Sequence, residues 1–300
     1  MEELVVDDRK LQITHPDKMI WEDQNIKKID YIHYLLDVAP YLIEHTKERL
    51  LMIWIYPHGI NGKKIEKRSV PKTAPEWVSH TFYKKKERIL LNDRATLVWA
   101  ANYGAIEFHV PFDRHDKPDY PQEMVFDLDP PDKNSFNMVL EVSMKLKELL
   151  ESLGLISVPR TSGSSGMQIF VPIQSNYTFE ETRKINTFIA HYMAEQMPQQ
   201  ITLERVVEKR GNKLYFDYLQ LWKGRTMPAV YSARANPKAT VAAPLTWAEV
   251  EAGVNPEDFT IFNIMKRIQE KRDLFQTVTT EKLEQSLDEI LRFIKKTKFN

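Results

Sequence analysis

Residues 124–131 read MVFDLDPP, and this short stretch determines how the rest of the chain is interpreted. Side chains alternate between the two faces of a strand, so Asp127 and Asp129 point to one face while Phe126 and Leu128 point to the other. Two carboxylates on one face are the beginning of a site for Mg²⁺ or Mn²⁺, which prefer oxygen ligands. The two prolines end the strand, which predicts that the pair of aspartates lies at the end of a sheet, where strands terminate and sites are usually built.

Two further segments have the composition that phosphate chemistry requires. Residues 161–166 read TSGSSG and lead into an apolar strand, and such a loop offers backbone N–H groups and hydroxyls to phosphate oxygens. Residues 213–220 read KLYFDYLQ, in which Asp217 is an acid among apolar and aromatic neighbours. A buried acid needs a partner, and a metal shared with the first two aspartates would supply one. The candidate phosphate contacts in the loop are Ser162, Ser164 and Ser165.

Hydrophobic periodicity predicts an α+β protein with mixed or antiparallel central sheets flanked by helices. Helical spacing extends from residue 136 to Gly154, and a second helix follows the capping pair Thr178 and Glu181. The predicted strands cover residues 51–56, 106–110, 124–128, 167–173 and 213–218.

Domain organisation follows from the same pattern. Residues 1–245 are predicted to form one catalytic unit, with an N-terminal helical part at 1–50 and a sheet core at 51–245. Residues 246–300 are predicted to be a helical appendage packed on that core, with helical spacing at 247–250, 261–268 and 283–294.

Composition excludes several classes of protein. The chain has 300 residues, 42 basic and 42 acidic side chains, and 42% hydrophobic residues, which suffices for a large core and excludes a disordered protein. It contains no cysteine, so disulfide frameworks, thiol nucleophiles and Cys-rich zinc sites are excluded. The N-terminus has no signal-peptide pattern and no apolar run is long enough to span a bilayer, which predicts a cytoplasmic location without membrane contact.

Zero net charge conceals basic clusters at 63–68, 84–88 and 209–213. We interpret the second as a solvated surface, and the other two as candidates for nucleic-acid contact.

In order and spacing, the DLDP, TSGSSG and strand-borne DYLQ motifs resemble the polymerase/primase domain of the bacterial end-joining ligase, a member of the archaeo-eukaryotic primase superfamily. The resemblance extends to residues 13–21 (ITHPDKMIW), 105–110 (AIEFHV), 231–234 (YSAR) and 240–247 (TVAAPLTW). It therefore covers most of the chain and implies a primase-like catalytic core.

The resemblance also implies residue roles. It implies that Asp127, Asp129 and Asp217 bind Mn²⁺ or Mg²⁺, and that His109 occupies a catalytic position. It implies that Lys18 and Lys28 bind a DNA 5′-phosphate as a basic pair. The residues implied to contact the nucleoside triphosphate are Ser162, Arg210, Gln220 and Arg234.

Departures from the family pattern bear on activity. The chain has Ser165 where relatives have a lysine, and Gln168 where they have a histidine, so two phosphate-facing or acid/base groups are missing. An aromatic pair that follows the Tyr-Pro-x-Gly turn in relatives is also absent, which weakens base stacking there. The basic side chains nearby, which are candidates for compensating DNA contacts, are Lys64, Lys67 and Arg68. We expect retained activity that is slower or more dependent on manganese.

Three functions compete at this point. The first is a template-directed nucleotidyltransferase that extends primer 3′ ends at gaps or double-strand breaks. The second is a scaffold that binds 5′-phosphorylated DNA ends and polymerises poorly, and the third is a metal-dependent phosphodiester hydrolase. The Lys-x-Asp-Gly motif of ligase adenylation is absent from the sequence, which predicts a separate DNA ligase, and the end-binding protein Ku, as partners at the bacterial nucleoid.

Overall fold

The computed structural model describes residues 2–297 and confirms the α+β class. The last residues of the predicted appendage, 298–300, and Met1 lie outside the described part. The helices are α1 (Lys28–Thr46), α2 (Arg94–Asn102), α3 (Phe136–Ser152), α4 (Phe179–Gln196), α5 (Trp247–Ala252), α6 (Ile264–Lys271) and α7 (Asp288–Thr297).

The strands are short, and most of them belong to antiparallel pairs. In chain order they are β1 (Glu2–Val6), β2 (Arg9–Ile13), β3 (Met19–Trp21), β4 (Ile26–Lys27), β5 (Met52–Ile55), β6 (Ile65–Lys67), β7 (His80–Tyr83), β8 (Lys86–Ile89), β9 (Ala105–Pro111), β10 (Asp113–Arg114), β11 (Lys117–Pro121), β12 (Glu123–Asp129), β13 (Val158–Thr161), β14 (Met167–Pro172), β15 (Ile201–Thr202), β16 (Leu214–Asp217) and β17 (Thr226–Pro228).

Contacts divide the chain into two compact units. The first unit comprises residues 2–116, 226–242 and 259–273. It contains an antiparallel sheet of order β17-β9-β5-β6 and the hairpins β1-β2, β3-β4 and β7-β8. Strand β9 is buried along its whole length, including its two ionisable residues, Glu107 and His109.

The second unit comprises the described residues of segments 117–225, 243–258 and 274–297. Its sheet has the order β13-β14-β12-β16-β15, with every pair antiparallel except β15-β16. Phe126 and Leu128 are fully buried, and helices α3 and α4 both contact β12. The apolar face of the quoted strand is therefore packed, as its alternation predicts.

The predicted helix boundaries were mostly accurate. α3 ends at Ser152, just before Gly154, and the capping box of Thr178 and Glu181 begins α4. The helices predicted over 261–268 and 283–294 were both wrong at their N-terminal ends, because α6 begins at Ile264 and α7 begins at Asp288. The segment before α7 has no regular secondary structure, and Gln285 hydrogen-bonds the backbone of Ile156 there.

The predicted division at residue 245 stays a prediction. α6 belongs to the first unit, whereas α5 and α7 belong to the second. Within residues 2–297, no helix combines the length and the apolar composition needed to cross a bilayer.

Candidate active site

The three predicted metal-binding aspartates lie together on the sheet of the second unit. Asp127 on β12 is the register partner of Asp217 on β16. Residues directly opposite each other on antiparallel strands share a face, and so do residues two apart on one strand. Asp129 therefore lies on the same face as the other two. The sheet places three acids on one face at the ends of two adjacent strands.

Repulsion within this group perturbs protonation. Burial, together with the charges of Asp129 and Asp217, raises the pKa of Asp127 well above its ordinary value. Burial and Asp217 raise the pKa of Asp129 to about 6, against a smaller lowering by Arg210. Carboxylates that are close together and poorly solvated repel one another, which favours their protonation. A bound cation would offset this repulsion.

The donor set fits a hard divalent cation, because all three groups are carboxylates on one face. The three side chains do not, however, converge as metal ligands would: among residues 2–297, no group of three His, Asp or Glu side chains is arranged to hold a metal ion. Asp217 Oδ1 accepts hydrogen bonds from the Tyr215 hydroxyl at 3.1 Å and the Leu219 N–H at 3.0 Å. These bonds fix the direction of the Asp217 carboxylate.

The Ser/Gly loop packs against the end of β12. Ser162 Oγ accepts hydrogen bonds from the N–H groups of Ser164 and Gly166, both at 3.2 Å, so this hydroxyl shapes the loop from within. A Cβ atom at Gly166 would lie 2.6 Å from the Leu128 carbonyl oxygen and 3.4 Å from Asp129 Oδ1. Only glycine lets the loop approach the aspartates this closely.

The three loop serines differ in accessibility. Ser162 is buried, Ser165 is half-buried and Ser164 is exposed. The most exposed serine of the loop is thus Ser164, whereas Ser165, which the sequence analysis aligned with a lysine of the family, is partly covered.

Arg210 lies beside the acidic group. Its guanidinium carbon is 3.8 Å from the centre of the Tyr215 ring, and it donates to the carbonyls of Glu204 and Arg205 at 3.1 and 3.0 Å. Gln220 closes a turn on the Asp217 carbonyl through its N–H at 3.4 Å. The structure therefore brings both predicted nucleotide contacts to the end of β16.

The first unit holds His109 and Arg234 around a buried acid that the sequence analysis did not single out. Glu107 Oε2 is 3.1 Å from His109 Nε2 and 2.9 Å from Arg234 Nε, and Glu107 Oε1 accepts from the Tyr56 hydroxyl at 3.2 Å. The Ala235 N–H donates to the same Oε1 at 3.1 Å. The signal was available, because Glu107 and His109 share a face of β9.

These contacts set the protonation of the group. Burial alone would raise the pKa of Glu107, but the hydrogen bond with His109 and the charge of Arg234 outweigh it, so the pKa lies below its ordinary value. Burial lowers the pKa of His109 despite the adjacent carboxylate. His109 also stacks on Trp54, with ring centres 4.2 Å apart.

Lys18 and Lys28 form a close basic pair in the first unit. Lys28 Nζ donates to the Thr14 carbonyl at 2.7 Å, and Lys18 Nζ donates to the Pro57 carbonyl. Burial, and then the charge of Lys18, lower the pKa of Lys28 to about 8. Two ammonium groups held close enough to repel each other are suited to an anion of high charge.

The predicted basic DNA contacts next to β6 all have intramolecular partners. Lys64 Nζ lies 3.4 Å from the centre of the Trp54 ring, and Lys67 Nζ donates to the Tyr103 hydroxyl at 3.0 Å. Arg68 Nε lies 3.2 Å from Met52 Sδ. Their role in binding DNA stays a prediction.

Comparison with known proteins agrees with this arrangement. Residues 27–275 match the family described as LigD, primase-polymerase domain. The bifunctional non-homologous end joining protein LigD of Bacillus subtilis is 38% identical over 288 residues, which is 96% of this chain and 47% of that protein. The multifunctional LigD of Mycolicibacterium smegmatis is 26% identical over 273 residues, or 88% and 35%. The chain thus spans less than half the length of these relatives.

A solved structure shares the fold. The polymerase domain from Mycobacterium tuberculosis Ligase D in complex with DNA superposes with a TM-score of 0.83 at 25% identity, covering 91% of this chain and 99% of that one. The residues matched by the family include the segments that carry all three aspartates. The chain therefore belongs to the family of LigD primase-polymerase domains.

Proposed function

We propose that this chain is a metal-dependent, template-directed nucleotidyltransferase that adds nucleotides to primer 3′ ends at gaps or breaks during non-homologous end joining. The observation that carries the proposal is the facing pair Asp127 and Asp217, with Asp129 on the same face and a Ser/Gly loop against it. A buried acidic group beside a phosphate-type loop is what nucleotidyl transfer requires.

In this proposal Asp127, Asp129 and Asp217 hold Mn²⁺ or Mg²⁺. Bound there, the metal would supply Lewis acidity for the primer 3′-hydroxyl and neutralise charge on the triphosphate. The 3′-hydroxyl gives its proton to solvent and its oxygen forms a bond to the α-phosphorus. The bond between that phosphorus and the α–β bridging oxygen breaks, and pyrophosphate leaves. The hydroxyls of Ser164 and Ser165 in the loop and the Arg210 guanidinium orient the phosphates.

The first unit contributes recognition. Within the first unit, Glu107 holds His109 and Arg234, which we assign to nucleotide contact, and Lys18 with Lys28 is the proposed site for a DNA 5′-phosphate. The solved relative is a polymerase domain in complex with DNA, which supports DNA as the partner. The relatives' names include end joining, which supports a ligase and Ku as further partners in the bacterial cell.

A second function is favoured by one observation. Ser165 stands half-buried in the loop where the family pattern has a lysine, so the loop has lost a phosphate-binding charge. A domain that binds 5′-phosphorylated ends through Lys18 and Lys28 but polymerises poorly would fit that loss.

Primer extension separates the two functions. The substrate is a gapped duplex with a downstream 5′-phosphate, given ribo- or deoxyribonucleoside triphosphates and Mn²⁺. The polymerase function predicts extension with pyrophosphate release that Asp127→Asn abolishes. Glu195→Gln, which alters an exposed side chain of α4, is the matched control and should extend normally. Tight, phosphate-dependent DNA binding without extension by the wild type would favour the scaffold.

A further inference from the structure

A row of polar side chains crosses four strands of the second unit and ends at the acidic group. Arg160 on β13 is the register partner of Gln168 on β14, and Gln168 is the register partner of Asp127 on β12. Asp127 in turn faces Asp217 on β16. Register partners share a face, so the four side chains lie in one line across the sheet.

Hydrogen bonds connect the first three members of the row. Arg160 donates to Gln168 Oε1 through Nε at 3.1 Å and through Nη2 at 2.7 Å. Gln168 Nε2 then donates to Asp127 Oδ1 at 3.1 Å. The amide of Gln168 therefore uses both of its ends: its oxygen accepts from Arg160 and its NH₂ group donates to Asp127.

The orientation of that amide follows from the chemistry of its neighbours. A guanidinium has donors and no acceptor, so it accepts only the oxygen end of the amide as its partner. The NH₂ end must then face Asp127, and it donates to Oδ1 of that side chain. Arg160 thus determines which end of Gln168 meets the aspartate.

Arg160 is itself firmly placed. It is 2% exposed, and its guanidinium carbon lies 4.6 Å from the Phe170 ring centre and 5.9 Å from that of Phe275. A buried guanidinium is costly unless it is paired. The row therefore brings the positive charge of Arg160 toward the Asp127 carboxylate, with the amide of Gln168 between them.

We propose that Arg160 and Gln168 are positioning residues that hold the Asp127 carboxylate in one orientation for a divalent cation. The proposal rests on the proposed function, since it requires Asp127 to be a metal ligand. Hydrogen-bonding partners that orient a ligand typically change metal affinity by 10- to 100-fold when removed. The competing explanation is that the row merely joins three strands.

Metal affinity distinguishes positioning from a purely structural role. The dissociation constant of Mn²⁺ is measured by electron paramagnetic resonance of free Mn²⁺, without nucleotide or DNA, so the result is independent of catalysis. Gln168→Met keeps the length of the side chain and removes all three of its hydrogen bonds to Arg160 and Asp127. We expect about tenfold weaker Mn²⁺ binding. In extension assays the Mn²⁺ concentration for half-maximal rate should rise by the same factor, with kcat at saturating Mn²⁺ nearly unchanged.

Two further variants control for loss of structure. Ile169→Val lies on the opposite face of β14 and is expected to lower the melting temperature without changing the Mn²⁺ dissociation constant. Arg160→Met frees the amide to rotate, so Mn²⁺ binding should weaken. Because the two residues act in series, the double variant Arg160→Met/Gln168→Met should bind Mn²⁺ no more weakly than Gln168→Met alone.

Each failure has its own signature. If the wild type binds Mn²⁺ and Asp127→Asn abolishes binding, but Gln168→Met binds as the wild type does, the positioning role is overturned and the proposed function stands. Additive losses in the double variant would also overturn it, since they indicate separate effects. If the wild type neither binds Mn²⁺ nor extends a primer, the proposed function itself fails.

Discussion

Asp127 and Asp217 face each other directly across the β12-β16 pair, as register partners on adjacent antiparallel strands. Opposite like charges destabilise a strand pair, and Asp129 on the same face adds to the repulsion. The metal-free protein therefore carries a local cost at the point where a cation would be used. This relationship underlies the first two predictions.

The stability of the metal-free protein should decline as the pH rises through 6. The pKa of Asp129 is raised from its ordinary value of 3.8 to about 6, so between these values the folded state keeps a proton that the unfolded state has released. Stability from this group is thus complete below pH 3.8 and lost above 6. Asp129→Asn should stabilise the chelator-treated protein at pH 7 by about 1–3 kcal/mol, measured by chemical denaturation from pH 5 to 8.

An exposed control tests the cause. Asp23→Asn removes a carboxylate at the surface of the first unit and should leave the pH profile unchanged. An Asp129→Asn protein that is no more stable than wild type at pH 7 would contradict the assignment of repulsion to this group.

Mn²⁺ should stabilise the folded protein in proportion to its binding. A ligand that binds only the folded state adds about 2.7 kcal/mol at a concentration 100 times its Kd. Thermal unfolding with and without Mn²⁺ should show a rise in Tm for the wild type and for Glu195→Gln. Asp217→Asn should lose most of the rise, and a full rise in that variant would remove Asp217 from the metal site.

Gly166→Ala should disturb the loop and the adjacent carboxylate. The added Cβ would lie 2.6 Å from a backbone oxygen, so loop or strand must shift, at a cost of roughly 1–3 kcal/mol. We expect weaker binding of nucleoside triphosphate and slower extension. Gly154→Ala is the comparison: it has a positive φ of 73° but open space around it, so it should lower stability without altering nucleotide affinity.

Glu107→Gln should weaken nucleotide binding without abolishing DNA binding. The isosteric amide removes the charge that joins His109 to Arg234, so both side chains lose a fixed partner. We expect a KM for nucleoside triphosphate about tenfold higher and a loss of roughly 1–3 kcal/mol in stability. Steady-state extension gives the KM, and fluorescence anisotropy with gapped DNA is the control. An unchanged KM would show that Glu107 serves the fold alone.

Recognition of a 5′-phosphate should weaken as the pH rises from 7 to 9. Lys28, with its pKa lowered to about 8, is charged below that pH and increasingly neutral above it. A phosphate monoester is already mostly doubly ionised at pH 7, since its second pKa is about 6, so the ligand itself would favour the opposite trend. The affinity ratio of phosphorylated to unphosphorylated gapped DNA should fall about tenfold.

Lys28→Met is the reference for this titration. It keeps the apolar stem and removes the charge, so the ratio should be low and independent of pH. A wild-type ratio that stays constant from pH 7 to 9 would exclude Lys28 as the titrating contact.

Local pattern carried much of the fold. Alternation along 124–129 predicted a strand with two acids on one face, and β12 confirms the strand. The capping pair Thr178 and Glu181 predicted the start of α4 to the residue. Each of these patterns involves only a few neighbouring residues, and so it can be interpreted without knowledge of the rest of the chain.

Pairing between distant segments was not predictable in the same way. The hairpins β1-β2, β3-β4 and β7-β8 consist of strands of only two to five residues, so the sequence shows little periodicity there. Glu107 read as part of an apolar strand, because its partners Arg234 and Tyr56 are far away in sequence. Gln168 was likewise interpreted as the loss of a functional group, because its partners Arg160 and Asp127 lie on other strands.

The sequence by itself determined which groups are present and which face of its own strand each one occupies. These groups are three acids on strands, a glycine-containing loop, and the apolar faces that must be buried. Only the tertiary structure decided that Asp127 meets Asp217 on one side and Gln168 with Arg160 on the other. The physical reason is that side-chain alternation is a property of a single strand. Register between strands is set by the burial of the apolar face of the whole sheet, whose strands come from separate segments between residues 123 and 217.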